Sequence, residues 1–339
     1  MKNYKILFFV IFSVFCNAQK FTIDTLLTDK ISIRAIQLWD GKVWYSGTDS
    51  KFGYVDIKNK SDKKQIKLSD KKLQFRTLAQ NNNAFYLANI ESPAIFFRID
   101  KKTLEYEIVK IDSAKNSFYD AIHFNKDIFY AFSDPEEDLE FKMPRFFEKD
   151  NIFRFNLQTA DDFLLDKGEA AFAASNTNIA SSGDFVWLAT GGNSSRIFRL
   201  DIKNDHWKVF ETPFVQGTSS QGIYSIDFYD NNFGIAVGGD YTKQADNFNN
   251  IATTNDSGET WQVQARGQNA GYMTCVKFRP KTKGKELVAV GDQHISFSSD
   301  FGKTWTKISD EKNLYACEWL DKNTLILAGK DRIVKLSFQ

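Results

Sequence analysis

Proline, cysteine and histidine are all scarce in this 339-residue chain, which holds five, three and three of them. So few cysteines cannot supply a disulfide framework. No CxxC or HExxH spacing occurs, and His123, His206 and His294 fall at unrelated places, so no metal centre is expected. A GxSxG elbow and a phosphate-binding glycine loop are missing as well, which leaves no complete catalytic constellation and no expected cofactor. Charge of one sign is also lacking, with 44 basic against 43 acidic residues. A nucleic-acid partner would show itself as a clustered basic excess, so none is expected.

Beyond the N-terminus, no stretch of residues 19–339 has the roughly 20 apolar residues that a membrane-spanning helix needs. The opening, MKNYKILFFVIFSVFCNAQK, is different. Lys2 and Lys5 flank the start of an apolar run over 6–15 that only Ser13 breaks, and Cys16-Asn17-Ala18 supplies small residues. That order reads as a signal peptide over 1–18, cleaved after Ala18, and hence as export to the periplasm or the extracellular space. Lipid anchoring through Cys16 is the minor alternative, because Phe15 is bulky where a lipoprotein signal has a small residue.

Aromatic side chains are abundant, at 15% of the chain. Segments rich in Phe, Tyr and Ile favour strands. Apolar residues alternate, as at Val43 and Tyr45, Phe85 and Leu87, Phe129 and Ala131, which is a strand period rather than a helical one. Two turns, TNDSGETW (254–261) and SSDFGKTW (298–305), share the order Ser/Thr-x-Asp-x-Gly-x-Thr-Trp, with Asp256 and Asp300 44 residues apart. A recurrence of about 20–50 residues marks a repeat protein. Aligning the flanks gives seven copies, beginning at Ala35, Thr77, Ala121, Ile179, Ser225, Cys275 and Cys317, the third lengthened by an insertion over 134–150. The expected fold is all-β: a single domain over 19–339 forming a seven-bladed β-propeller of four-stranded antiparallel blades. The last copy lacks a fourth strand, and FTIDTLL (21–27) is free to supply it, which would close the ring and remove two open edges.

The two turns are similar to the Asp-box (BNR) repeats of sialidases, sortilin-type receptors and the photosystem II stability/assembly factor propellers, within the wider WD40/YVTN/BNR-like superfamily. Such a motif speaks for a blade and hardly at all for an activity. Asp256 and Asp300 are expected to accept backbone N–H groups inside the turn. Gly258 and Gly302 would supply a left-handed conformation, and Trp261 and Trp305 would bury an aromatic face between blades. NDHWKVF is a decayed copy, with Trp207 in the tryptophan's place and Asn204 in the glycine's. FFRID (96–100) looks like the arginine motif of sialidases, but no proline follows Ile99. IFRF (152–155) and IFRL (197–200) place Arg154 and Arg199 where Arg98 stands, so these arginines read as a repeat feature.

Function is expected on the face that carries the fourth-to-first and second-to-third strand loops. First strands bring Arg34, Arg76, Tyr119, Asp120, Tyr224 and Tyr272 there, and the insertions over 134–150 and 240–250, the second opening with Asp240, land on the same side. Phe141, Met143, Phe146 and Phe147 are too apolar for a loop in water, so they fold back or meet a partner. Cys275 and Cys317 occupy equivalent first-strand positions as small buried residues, with a disulfide between them left open. The resemblance implies a polypeptide partner held through an arginine-bearing surface, with Arg34 and Arg76 in that role toward an acidic or carboxylate-bearing group. The leading reading is a secreted, non-enzymatic scaffold for an exported protein or peptide. One alternative is a propeller enzyme, a glycan hydrolase or lyase or a cofactor-dependent oxidoreductase, using Asp120, Tyr224, Asp240 and His123. Another is a propeller that binds a glycan without catalysis.

Overall fold

The computed structural model describes residues 20–149, 152–156 and 159–339. The expected signal peptide over 1–18, with Cys16, lies outside the described residues. Among the described residues every regular element is a strand, and all pairings are antiparallel meanders of a β-propeller.

Among the described residues the strands form six blade sheets, beside a two-stranded pair of Glu140–Lys142 and Thr159–Leu164, which corrects the expected count of seven blades. The cause is the first strand, Phe21–Trp39, which runs on for 19 residues. Its first half pairs with Thr324–Phe338, Phe21 lying opposite Phe338, and its second half pairs with Lys42–Gly47, Trp39 opposite Lys42. The copies expected as first and last are therefore joined in one six-stranded seam sheet. TDKIS (28–32) contains no proline or glycine to end the strand. The register only slips between Thr28 and Ser32, and the strand resumes with Ile31 and Ile33 buried.

Four-stranded sheets begin at Ala79–Gln80, Tyr119–Asn125, Ile179–Ser182 and Cys275–Phe278. The remaining sheet has six strands, because Glu169–Ala170 and Gly191–Gly192 add to the inner edge of Gln221–Phe228. Glycine permits that addition: a Cβ on Gly222 would lie 2.4 Å from the Gly191 Cα.

The insertion over 134–150 folds back. Arg145–Lys149 takes the third-strand place beside Ile128–Ser133, which moves Ile152–Asn156 outward to the fourth. Arg154 is thus not the counterpart of Arg98 and Arg199, since the sequence alignment had skipped one strand. Phe141, Met143 and Phe146 are buried. Phe146 stacks on Phe129 at 4.7 Å, and Phe141 stacks on Phe198 of the next sheet at 4.3 Å. Burying each such side chain contributes about 1.5–3 kcal/mol, enough to seat a segment whose polar half stays in water.

The two Asp-Gly turns fasten neighbouring sheets. Asp300 Oδ1 accepts the Ser298 hydroxyl at 2.9 Å and the Thr304 amide at 2.9 Å, while the Gly302 amide donates to Ser298 Oγ. Thr254, Asp256, Gly258 and Thr260 repeat these bonds. Gly258 and Gly302 have φ of +83° and +78°, and Trp261 and Trp305 each donate their indole N–H to the carbonyl of that glycine. The Ser257 carbonyl receives the Trp187 indole N–H at 2.7 Å and the Arg199 guanidinium at 3.0 Å, both from the preceding sheet. In the decayed copy the left-handed residue is Asp205 rather than Asn204, because Asp201 already holds the amides of Lys203 and Asn204.

Candidate binding site at the channel mouth

A segment with no counterpart in the other copies crosses the propeller axis. After Glu169–Ala170 the chain runs through AFAASNTN (171–178) before entering Ile179–Ser182. Small side chains let it lie in the narrow channel, and its polar groups reach the surrounding sheets. Asn176, at φ +60°, donates to the carbonyls of Leu78 and Ile122 and accepts the Ile122 amide. Ser175 donates to the Thr274 carbonyl, Thr177 donates to Ser225 Oγ, and the Ile226 amide donates to the Thr177 carbonyl. Arg34 and Arg76 bond to the carbonyls of Ala174 and Ala173 at 3.2 and 3.5 Å. This plug divides the channel into two cavities.

The cavity on the expected face has a volume of about 300 Å³. Arg34 and Arg76 share its floor with Ala173 and Ala174, and Phe172, Tyr224 and Tyr272 form its aromatic wall. Phe172 and Tyr224 stack at 3.8 Å with 4° between planes, and Tyr272 meets Tyr224 edge-on at 4.8 Å. The Arg34 guanidinium also lies 4.0 Å over the Tyr315 ring. Arginines 98, 145, 196, 199, 279 and 332 all hold carboxylates. Among the described residues no carboxylate lies within ion-pair distance of Arg34 or Arg76. Burial, together with the Arg34 charge beside it, lowers the Arg76 guanidinium below its ordinary value. Two adjacent, under-neutralised guanidiniums in a concave aromatic site can take a carboxylate.

Three further residues shape this electrostatics. Asp120 lies fully buried against Asp134, and burial with the Asp134 charge raises its carboxyl well above the ordinary range. Burial brings Asp134 up to about 6, so the pair holds a proton near neutrality and offsets Arg76 only in part. Asp292, raised by burial, faces the pocket with Gln244 donating to it at 3.1 Å.

Of the residues expected at the mouth, Arg34, Arg76, Tyr224 and Tyr272 line one pocket, and Asp120 lies behind Arg76. Tyr119 is elsewhere: its hydroxyl donates to Asp112 and its ring meets Phe96 edge-on in the core between sheets. Asp240 is also outside the pocket, since its carboxylate accepts the amide and hydroxyl of Thr242 and so closes its own loop. His123 lies on the far side of the plug, 2.8 Å from Ser181 Oγ, in the second cavity of about 350 Å³. Asp292 and the plug were not anticipated, while Tyr241 and Gln244 come from the insertion over 240–250. For the plug the signal was present, a run of small residues without strand alternation.

No protein-family model matches the chain, and neither does any curated protein sequence. Solved structures do match it in fold. A structure described as YCF48 bound to D1 peptide superposes with a TM-score of 0.65 at 12% identity, covering 94% of this chain and 95% of that one. A streptogramin B lyase superposes with a TM-score of 0.68 at 13% identity, over 94% and 98% of the two chains. The WD40 repeats of RRP9 give 0.65 at 9% identity, over 95% and 98%. At such identities the likeness establishes the β-propeller fold and nothing finer.

Proposed function

We propose that this chain is an exported propeller with Asp-box-type turns whose channel mouth holds an acidic or carboxylate-bearing stretch of a protein or peptide, without catalysis. The observation that carries the reading is the pair Arg34 and Arg76, side by side on the pocket floor with no carboxylate within ion-pair distance among the described residues. The aromatic wall suits the flanking residues of an extended peptide, and the plug gives the pocket a bottom, so a chain segment docks rather than threads. The peptide-bound state of YCF48 is in keeping with this use of a propeller. The N-terminal apolar run supports export.

The test is capture of exported proteins from the native cell by the purified chain. Arg34→Glu, alone and with Arg76→Glu, is expected to abolish capture while the thermal melt shows a folded protein. Unchanged capture by the folded variants would remove the mouth from consideration. A turnover screen on glycans and redox dyes is expected to be blank. Activity lost in Asp120→Asn would replace this reading with an enzymatic one.

A further inference from the structure

We propose that Cys275 and Cys317 form a two-thiol modification site on the channel wall, which peroxide entering the cavity below the plug converts to a disulfide joining two neighbouring sheets. The two sulfurs lie 3.6 Å apart, both buried and both free. They stand on the innermost strands Cys275–Phe278 and Leu314–Asp321, which belong to different sheets, so the bond would tie the Cys275 sheet to the seam sheet. Cys317 lines the cavity, whose volume of about 350 Å³ admits a molecule of peroxide size.

The surroundings favour a thiolate. The Cys317 thiol donates toward the Cys275 sulfur, and the Thr177 hydroxyl of the plug approaches the same sulfur at 3.9 Å. Lys277, two residues along the strand, holds Glu318 at 3.0 Å and places an ammonium beside the pair. Burial opposes ionisation of Cys275, yet the Cys317 thiol and the Lys277 charge outweigh it and bring Cys275 down to about 7. Cys317 moves the other way, its thiol held protonated by its bond to Cys275.

The chemistry balances without a metal or a further reductant. Cys317, the sulfur that faces the cavity, passes its proton to the Cys275 thiolate along the bond between them and, as the thiolate, attacks one peroxide oxygen; the O–O bond breaks, and the hydroxide that leaves takes up a proton as water. The resulting sulfenic acid is attacked by the second sulfur. The S–S bond forms as the S–O bond breaks, and the departing hydroxide leaves as water with the second thiol's proton. Two thiols are thereby oxidised by two electrons, and one peroxide is reduced to two waters.

The experiment treats the folded full chain with dilute hydrogen peroxide, quenches with alkylating agent in denaturant, and maps tryptic peptides by mass. Trypsin leaves Cys275 in the fragment 267–277 and Cys317 in 313–322, which separates both from Cys16. The expected product is the two fragments joined with loss of two hydrogens, at least tenfold more abundant than in untreated protein and reversed by dithiothreitol. Lys277→Met should slow its formation several-fold near pH 7, with the rate restored at higher pH. The proposal is overturned if both cysteines are recovered alkylated and unlinked, or if either goes to sulfinic acid without the joined fragment. Equal rates for wild type and Lys277→Met would remove the lysine from it.

Discussion

Asp300 and Asp256 hold their turns by accepting the exposed Thr304 and Thr260 amides and hydroxyls together with the hydroxyls of buried Ser298 and Thr254. Burial works against their ionisation, but the Thr304 and Thr260 amides and hydroxyls outweigh it, and both carboxyls are lowered. A lowered folded value means that the stabilisation is complete above the usual carboxylate range and is lost as pH falls through the folded value. Asp300→Ala leaves the Thr304 amide and the Ser298 hydroxyl without their acceptor. We expect a loss of about 1–3 kcal/mol at pH 7 in denaturant unfolding, shrinking toward pH 2. Asp227 has the opposite sign. Burial beside the channel cavity raises its carboxyl to about 6, although Lys277 and the Phe278 amide favour the charged form. Its contribution is therefore present at low pH and is lost as pH rises from about 4 through about 6. Asp227→Asn should become more stable relative to wild type over that interval, by on the order of 1–3 kcal/mol in unfolding measured at pH 4 and pH 7.

At the scale of elements, the plug distinguishes this ring from a plain stack of repeats. Asn176 bridges two sheets through three hydrogen bonds, so Asn176→Ala strands the Leu78 and Ile122 carbonyls and the Ile122 amide near the axis. A loss of about 2–3 kcal/mol is expected, accompanied by faster amide exchange at Ile122, as hydrogen-exchange mass spectrometry would register. The plug was not legible in the alternation of apolar residues because its side chains do not alternate and, apart from Phe172, are small. Its role comes from backbone carbonyls and from an axis that exists only once the ring has formed. The same limit explains Arg145–Lys149. Its Phe146 and Phe147 read as excess apolarity in a loop, whereas the strand is defined by its pairing with Ile128–Ser133. The turns were legible down to their hydrogen bonds, since Asp, Gly and Trp at fixed spacing impose a local geometry.

For the whole molecule, closure depends on one strand serving two neighbours. Its continuity from Phe21 to Trp39 produced six blade sheets among the described residues where a repeat count suggested seven, because a period in sequence does not report which strands stay joined. Deleting residues 20–27 would expose the edge of Thr324–Phe338 from Ile333 to Phe338. That variant should melt well below wild type and aggregate on heating, as light scattering during a thermal ramp would show. The convergence of Arg34, Arg76, Tyr224 and Tyr272 followed from propeller geometry alone. Tyr119 and Asp240 were expected on the same face but do not line the pocket, because local bonds to Asp112 and Thr242 fix their side chains elsewhere. The central claim, a carboxylate site at a plugged mouth, is tested most directly by titrating wild type and Arg34→Gln with one acidic peptide and with its amidated form. Wild type should bind the acidic peptide at least tenfold more tightly than either Arg34→Gln or the amidated peptide allows, a difference of about 1.4 kcal/mol or more. Equal affinities in both comparisons would contradict it.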